Sequence, residues 1–353
     1  MRYPALDLLR LVAIGMTVLV HTPSLVARIA VLRPFGNALW LGVDLFMLIS
    51  GWLLGGQLLR DAKAKDFRPG RFYLKRWLRT LPPYYAMLAV LYLLRGADHA
   101  QIPPWQMLTH LLFLQNYVGP NLYEVSWSLC VEEHFYLALP LVVLALERRP
   151  KLSTPVLLVV ALEVLALLAR WQYFTANPAR EVPLMTHMRC DGLFIGLLLA
   201  WVHLHRPDLW AKLGGAANAF LPVGAAATLA VMATVAPPPT AWGYVGAATA
   251  GTWGLALVFL AAVHERSWAS RINFRGLRYM GELTYAIYLV HSVIPVAWLG
   301  GQRGATGIVA VGIRLGVVLG LSMLLHHVIE RPALGLRARV IAKLDAKPAA
   351  KQS

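Results

Sequence analysis

Leu6-Asp7-Leu8-Leu9-Arg10-Leu11-Val12-Ala13-Ile14-Gly15-Met16-Thr17-Val18-Leu19-Val20-His21 is the stretch that decides the fold. Between Arg10 and His21 every residue except Thr17 is apolar or glycine. The run continues over 5–28, and a bilayer-crossing helix needs about 20 residues. An ionisable group inside such a span is costly and marks a pathway or a site. Eleven residues at 100° each return to within about 20° of the starting face, with a rise of roughly 16 Å. Arg10, Ile14, Thr17 and His21 therefore share one stripe. Val26-Ala27-Arg28-Ile29-Ala30 follows the run as a cleavage site would. Asp7 and Arg10 do not fit a leader's uncharged core, so the span reads as a retained anchor.

The rest of the chain has the same character. Of 353 residues 58% are hydrophobic and 14% charged, with a mean hydropathy of +0.58. A soluble domain carries about 25% charged residues, so this composition excludes a soluble enzyme, a disordered chain and a secreted disulfide scaffold. Apolar stretches place spans near 5–28, 36–59, 78–95, 130–147, 152–173, 185–205, 217–236, 243–264, 280–300 and 305–330. The expected fold is thus an all-α polytopic membrane bundle of about ten transmembrane helices over 1–332. A basic tail, 333–353, is polar enough to be disordered. Segment 105–118, flanked by Pro103, Pro104 and Pro120, is too short to span and reads as an external or re-entrant piece.

The net charge of +16 would point to nucleic acid in a soluble chain. Here it reports orientation. With the N-terminus inside, 24 of the 33 basic residues fall in inner segments and six outside. Arg28, Arg33, Arg95, Arg170, Arg180 and Arg303 are the six. The positive-inside rule then sets both termini in the cytoplasm, and no nucleic-acid partner is needed. Cys130 and Cys190 lack C-x-x-C spacing and support neither a disulfide framework nor a metal site. Gly51 with Gly55, Gly192 with Gly196, and Gly312, Gly316 and Gly320 are small residues four apart that let helices pack closely.

With that orientation, His21, Asp44, Glu132, Glu133, Arg189, Asp191, His291 and Arg314 share one depth toward the outer side. Asp44 and Asp191 read either as site carboxylates or as partners of Arg189 or Arg314. Glu132 and Glu133 are about 100° apart on a helix, so one turns to the site and the other to a structural partner. On the inner side, Arg71-Phe72-Tyr73-Leu74-Lys75-Arg76-Trp77-Leu78-Arg79 is either an interfacial segment on anionic lipid or a phosphate-binding one. In the second case Arg76 and Arg79, three apart, present two guanidinium groups together.

These residues resemble the acyltransferase-3 group of integral membrane O-acyltransferases over roughly 3–332. Arg10 and His21 look like its Arg-x10-His signature, and Gly42-Val43-Asp44 through Ser50-Gly51 its second-span pattern. Arg76-Trp77-Leu78-Arg79 before Pro82-Pro83-Tyr84-Tyr85 resembles its Arg-x-x-Arg region. Ser126-Trp127-Ser128-Leu129 through Glu132, Phe135 and Tyr136 is similar to its Trp-Ser-Leu-x-x-Glu-x-x-Phe-Tyr signature. Arg189-Cys190-Asp191-Gly192, Tyr285 through Tyr288 and His291, and Glu330-Arg331-Pro332 continue the order. His134 stands where Gln is usual, and Cys130 where a small residue is. No hydrolase-like domain follows these motifs in the sequence, which leaves the acceptor open.

The resemblance implies transfer of an acetyl group from cytoplasmic acetyl-CoA to a hydroxyl of a cell-envelope carbohydrate, in the bacterial inner membrane. Arg10, Arg76 and Arg79 would hold the donor, and His21 would be general base with Glu132, or else Asp44, orienting its ring. An acyl-His intermediate is the variant. Trp127, Ser128, Glu133, Tyr136, Arg189, Asp191 and His291 would line or brace the site. The rival reading is a transporter or flippase for a glycan or lipid-linked substrate. Oligomeric state cannot be read from the sequence.

Overall fold

The computed structural model describes residues 3–94, 103–118, 122–177, 184–235, 240–293 and 305–346. Arg2, Arg95, Pro120, Arg180, Arg303, Lys347 and Lys351, and the stretch 294–300 of the ninth expected span, lie outside the described residues. The described regular structure is helical throughout: α1 Pro4–Val20, α2 Leu41–Lys63, α3 Pro69–Leu94, α4 Pro104–Leu111, α5 Trp127–Arg148 and α6 Ser153–Ala176. Then come α7 Asp191–His205, α8 Ala217–Thr234, α9 Ala247–Val263, α10 Leu277–Val290, α11 Ala305–Leu325 and α12 Arg331–Ala346. Single π-helical turns, Trp242–Gly246 and His326–Glu330, lead into α9 and α12.

Among the described residues, six stretches are long and apolar enough to cross a membrane by length and composition: 41–63, 124–148, 153–176, 217–234, 242–263 and one from 309 through α12. α1, α7 and α10 have 17, 15 and 14 residues. At 1.5 Å per residue that is about 21–26 Å, short of a hydrocarbon core of about 30 Å. α3 is long, with 26 residues, but its first half carries the cations of Arg71–Arg79. α1 ends eight residues before the apolar run does. Pro23 cannot donate into the helix and its ring disfavours helical backbone at the residue before it, so the chain leaves the helix at His21.

The described residues form two compact units. The first comprises 1–65 and 127–284, with α2 at its centre, packed against α1, α5, α7 and α9. Glycines make the α2–α7 contact close. A Cβ on Gly51 would overlap the backbone of Leu193, and one on Gly196 the carbonyl of Leu48. Gly224 and Gly254 do the same for α8 and α9, a pair outside the glycine spacings expected above. By contrast, Gly312, Gly316 and Gly320 have nothing within 4 Å of where a Cβ would stand, so that stripe packs against no described neighbour. α6 exposes Leu157, Val160, Leu165 and Leu168 and buries only a narrow stripe of Pro155, Val159, Ala166 and Arg170. An apolar exterior of this kind suits lipid.

The second unit comprises 66–126 and 285–353. α3 carries Pro82 and Pro83 in its interior. Proline there removes intrahelical donors, which membrane helices tolerate where neighbours compensate. The next two residues staple α3 to α4: the Tyr84 and Tyr85 hydroxyls donate to the carbonyls of His110 and Leu111 at 3.1 and 3.0 Å. α4 has eight residues, too few to span, in keeping with the short proline-flanked segment. α12 is helical where the polar composition predicts disorder, because it packs along α3.

Candidate functional site

α1 carries Arg10 in its second turn and ends at His21, with both on one stripe. Arg10 Nη1 pairs with Asp7 Oδ1 one turn earlier, at 2.8 Å. Gly281 of α10 leaves room for that carboxylate, since a Cβ there would lie 2.9 Å from the Asp7 side chain. At the other end His21 is the helix C-cap, and its Nδ1 lies 2.9 Å from the carbonyl of Thr17. A carbonyl can only accept, so Nδ1 carries the proton and the basic lone pair of the neutral ring is on Nε2. The ring is therefore oriented by backbone. No hydrogen bond among the described residues joins it to Glu132 or Asp44, the carboxylates expected to do so.

Those carboxylates have other partners within the first unit. Glu132 of α5 accepts from Ser50 of α2 at 2.9 Å and from Tyr136, one turn along α5, at 2.5 Å. Two hydroxyl donors hold it at the α2–α5 contact, while Glu133 points into the core. Asp44 accepts from Arg189 Nη2 at 2.9 Å, with both side chains about as buried as the apolar core. The Arg189 guanidinium also lies over Trp40 and Trp127, 4.7 and 5.2 Å from the ring centroids. Aromatic faces attract a desolvated cation, so the tryptophans and Asp44 together fix Arg189. Its Nε is buried, with no hydrogen-bond partner among the described residues. Ser128 is buried beside Trp127 on the first turn of α5.

Asp191 pairs with Arg170 of α6, and with neither Arg189 nor Arg314. Both Asp191 oxygens accept from Arg170 Nη2, at 2.7 and 2.9 Å, and Thr249 of α9 donates a third bond at 2.7 Å. The remaining Arg170 donors reach the Met188 and Val245 carbonyls. Counted among the six outside cations by its place near a span end, Arg170 instead lies in the buried stripe of α6.

Arg76, Arg79 and His291 belong to the second unit. Arg76 and Arg79 lie on one side of α3, both half-buried. His291 is fully buried just past α10; its Nδ1 donates to the Tyr288 carbonyl at 2.7 Å. Arg314 of α11 donates to the His291 carbonyl at 2.7 Å and so closes the end of α10. The Tyr288 hydroxyl donates to Val125, and Tyr123 donates to Leu289. These bonds pin the segment before Trp127.

Apolar helices enclosing paired arginines and carboxylates define an integral membrane protein with a polar interior rather than a simple anchor. The chain belongs to the acyltransferase-3 family, whose acyltransferase domain it matches over residues 3–327. It is 28% identical to the peptidoglycan O-acetyltransferase OatA of Listeria monocytogenes over 301 residues, 75% of this chain and 47% of that protein. It is 25% identical to the O-acetyltransferase OatA of Staphylococcus aureus over 287 residues, 74% of this chain and again 47% of the relative. The chain thus spans about half the length of the curated relatives it matches. No solved structure matches it.

Proposed function

We propose that this membrane acyltransferase moves an acetyl group from cytoplasmic acetyl-CoA to a hydroxyl of a cell-envelope carbohydrate, in a bacterial inner membrane. About ten spans, with both termini inside, is the topology that goes with this reading. The observation that carries it is the His21 ring, which donates from Nδ1 to the Thr17 carbonyl and so keeps its basic lone pair on Nε2. An imidazole so held is suited to general-base chemistry near neutral pH.

In the proposed reaction, His21 Nε2 takes the proton of the acceptor hydroxyl as the oxygen attacks the thioester carbonyl. The C–S bond then breaks, and the leaving CoA thiolate takes the proton from the His21 imidazolium, which restores the neutral base. Arg76 and Arg79 hold the donor's phosphates, and Arg10 contributes positive charge on the His21 stripe. Glu132, fixed by Ser50 and Tyr136, supplies a negative charge for the imidazolium formed during transfer. Asp44, with Arg189, Trp127, Ser128, Glu133 and Asp191, braces that site, and His291 does the same in its own unit.

His21→Ala is the direct test. Transfer to the native acceptor should fall by about 10²–10⁴-fold, the usual contribution of a positioned general base, while expression and thermal unfolding stay near wild type. Wild-type turnover in that variant would remove His21 from the mechanism. Mass spectrometry of envelope glycans with and without the protein would identify the acceptor by the acetyl mass that disappears.

A further inference from the structure

The C-terminal helix brings another cation to the Arg76–Arg79 side of α3. α12 packs against α3, and one end of the contact is fastened by Arg71 Nη2 to Asp345 Oδ2 at 2.5 Å. Farther along, Arg337 lies close enough to Arg76 for their like charges to act on each other. Asp345 meets Arg71 near the start of α3, while the His326–Glu330 turn at the other end of α12 also packs on α3, so the two helices are antiparallel. Eight residues back along α12 from Asp345 reach Arg337, and eight forward along α3 from Arg71 reach Arg79. Both steps rise about 12 Å, so Arg337 stands about level with Arg79, with Arg76 one turn nearer the fastening.

Arg337 is half-buried, and no carboxylate among the described residues pairs with it. Like charges held together and partly withdrawn from water repel more strongly than in bulk, and an anion between them reverses the sign. Arg71 already has its carboxylates, Asp66 and Asp345, and serves as the fastening. Arg337 also lies past residue 327, where the family match ends.

We infer that Arg337 completes a phosphate site with Arg76 and Arg79, so that the C-terminal helix is part of the ligand-binding apparatus. Guanidinium forks suit phosphate oxygens, which accept paired charge-assisted bonds. The phosphate comes either from the CoA donor or from an anionic lipid headgroup. Assignment to CoA rests on the donor reading proposed above.

The test measures direct binding, using the full chain in nanodiscs. CoA binding is titrated in zwitterionic discs, and retained phospholipid is quantified after exchange into discs containing phosphatidylglycerol. Arg337→Gln should weaken CoA binding about tenfold, Arg337→Lys less, with unfolding temperatures unchanged. Asp345→Asn, which keeps all three guanidinium groups but releases the fastening, should weaken it by a smaller factor. Unchanged CoA binding with loss of retained phosphatidylglycerol in Arg337→Gln supports the phosphate site and assigns it to lipid. Wild-type protein that ignores CoA yet holds lipid through Arg337 would sink the donor reading and leave the site standing. Equal CoA binding and equal lipid retention in wild type and both Arg337 variants overturn the inference.

Discussion

Arg170 occupies the wall of a helix that otherwise faces lipid, and it is 1% exposed. A guanidinium in that position is tolerable only because its donors are met by Asp191, Thr249 and two backbone carbonyls. Removing one partner of such a pair leaves an uncompensated buried charge. Arg170→Met should therefore destabilise the protein by about 3–5 kcal/mol, read as a lower unfolding temperature in detergent. Arg170→Met combined with Asp191→Asn should recover part of that loss, because the stranded charge is gone. A double variant no better than the single would show that the methionine fails by packing instead. Arg189 differs in kind. It is held by one carboxylate and two aromatic faces, and its buried Nε has no hydrogen-bond partner among the described residues.

At the scale of elements, the α2–α7 contact sets how far apart Asp44 and Arg189 can stand. Gly196→Leu places a side chain where the Leu48 carbonyl already is, and backbone cannot yield as a flexible side chain would. Overpacking of this sort costs about 1–3 kcal/mol or more. We expect the variant to lose the folded state or the Asp44–Arg189 pair, measured by yield after size exclusion and by thermal unfolding. Gly312→Leu, facing open space, should be neutral in the same assay.

These elements also explain what was legible beforehand. Hydropathy located α2 and α5 through α9 within a few residues, since nothing but burial in lipid accounts for runs so apolar. It missed the start of α3, because Arg71–Arg79 is helical while polar, and the helix of α12, because its stability comes from packing on α3. Site residues such as Asp44, Glu132 and Arg189 were visible as charges out of place. The Asp44–Arg189 pair was one of the readings open in the sequence, but the partners of Glu132 and Asp191 were not, because the partner of a membrane charge is set by which faces glycine allows to meet. Ser50 as a partner of Glu132 and Arg170 as a partner of Asp191 are both of this kind.

For the whole molecule, the proposed orientation has a simple measurement. Cys130 and Cys190 are both buried, so a cysteine added at an exposed position is the one that reacts. Arg339→Cys on α12 should react with an impermeant maleimide only after the membrane is opened. Trp105→Cys on α4, 45% exposed in the native residue, should react in intact cells. The opposite pattern would invert the topology and place the Arg76–Arg79 segment on the wrong side for a cytoplasmic donor.

One further consequence follows from where α1 stops. Its last turn ends at His21 because Pro23 forbids continuation, and Arg10 is anchored to Asp7 near the other end. The helix is thus a ruler between Arg10 and His21, on which length is the specification and composition is filler. Exchanging Val18 or Leu19 for other apolar residues leaves the graduations alone. Deleting a single residue between Arg10 and His21 turns the imidazole by about 100° and draws it back about 1.5 Å. The same span would still be apolar and still insert, yet it would present a different face: a mutant that is well made and aimed elsewhere.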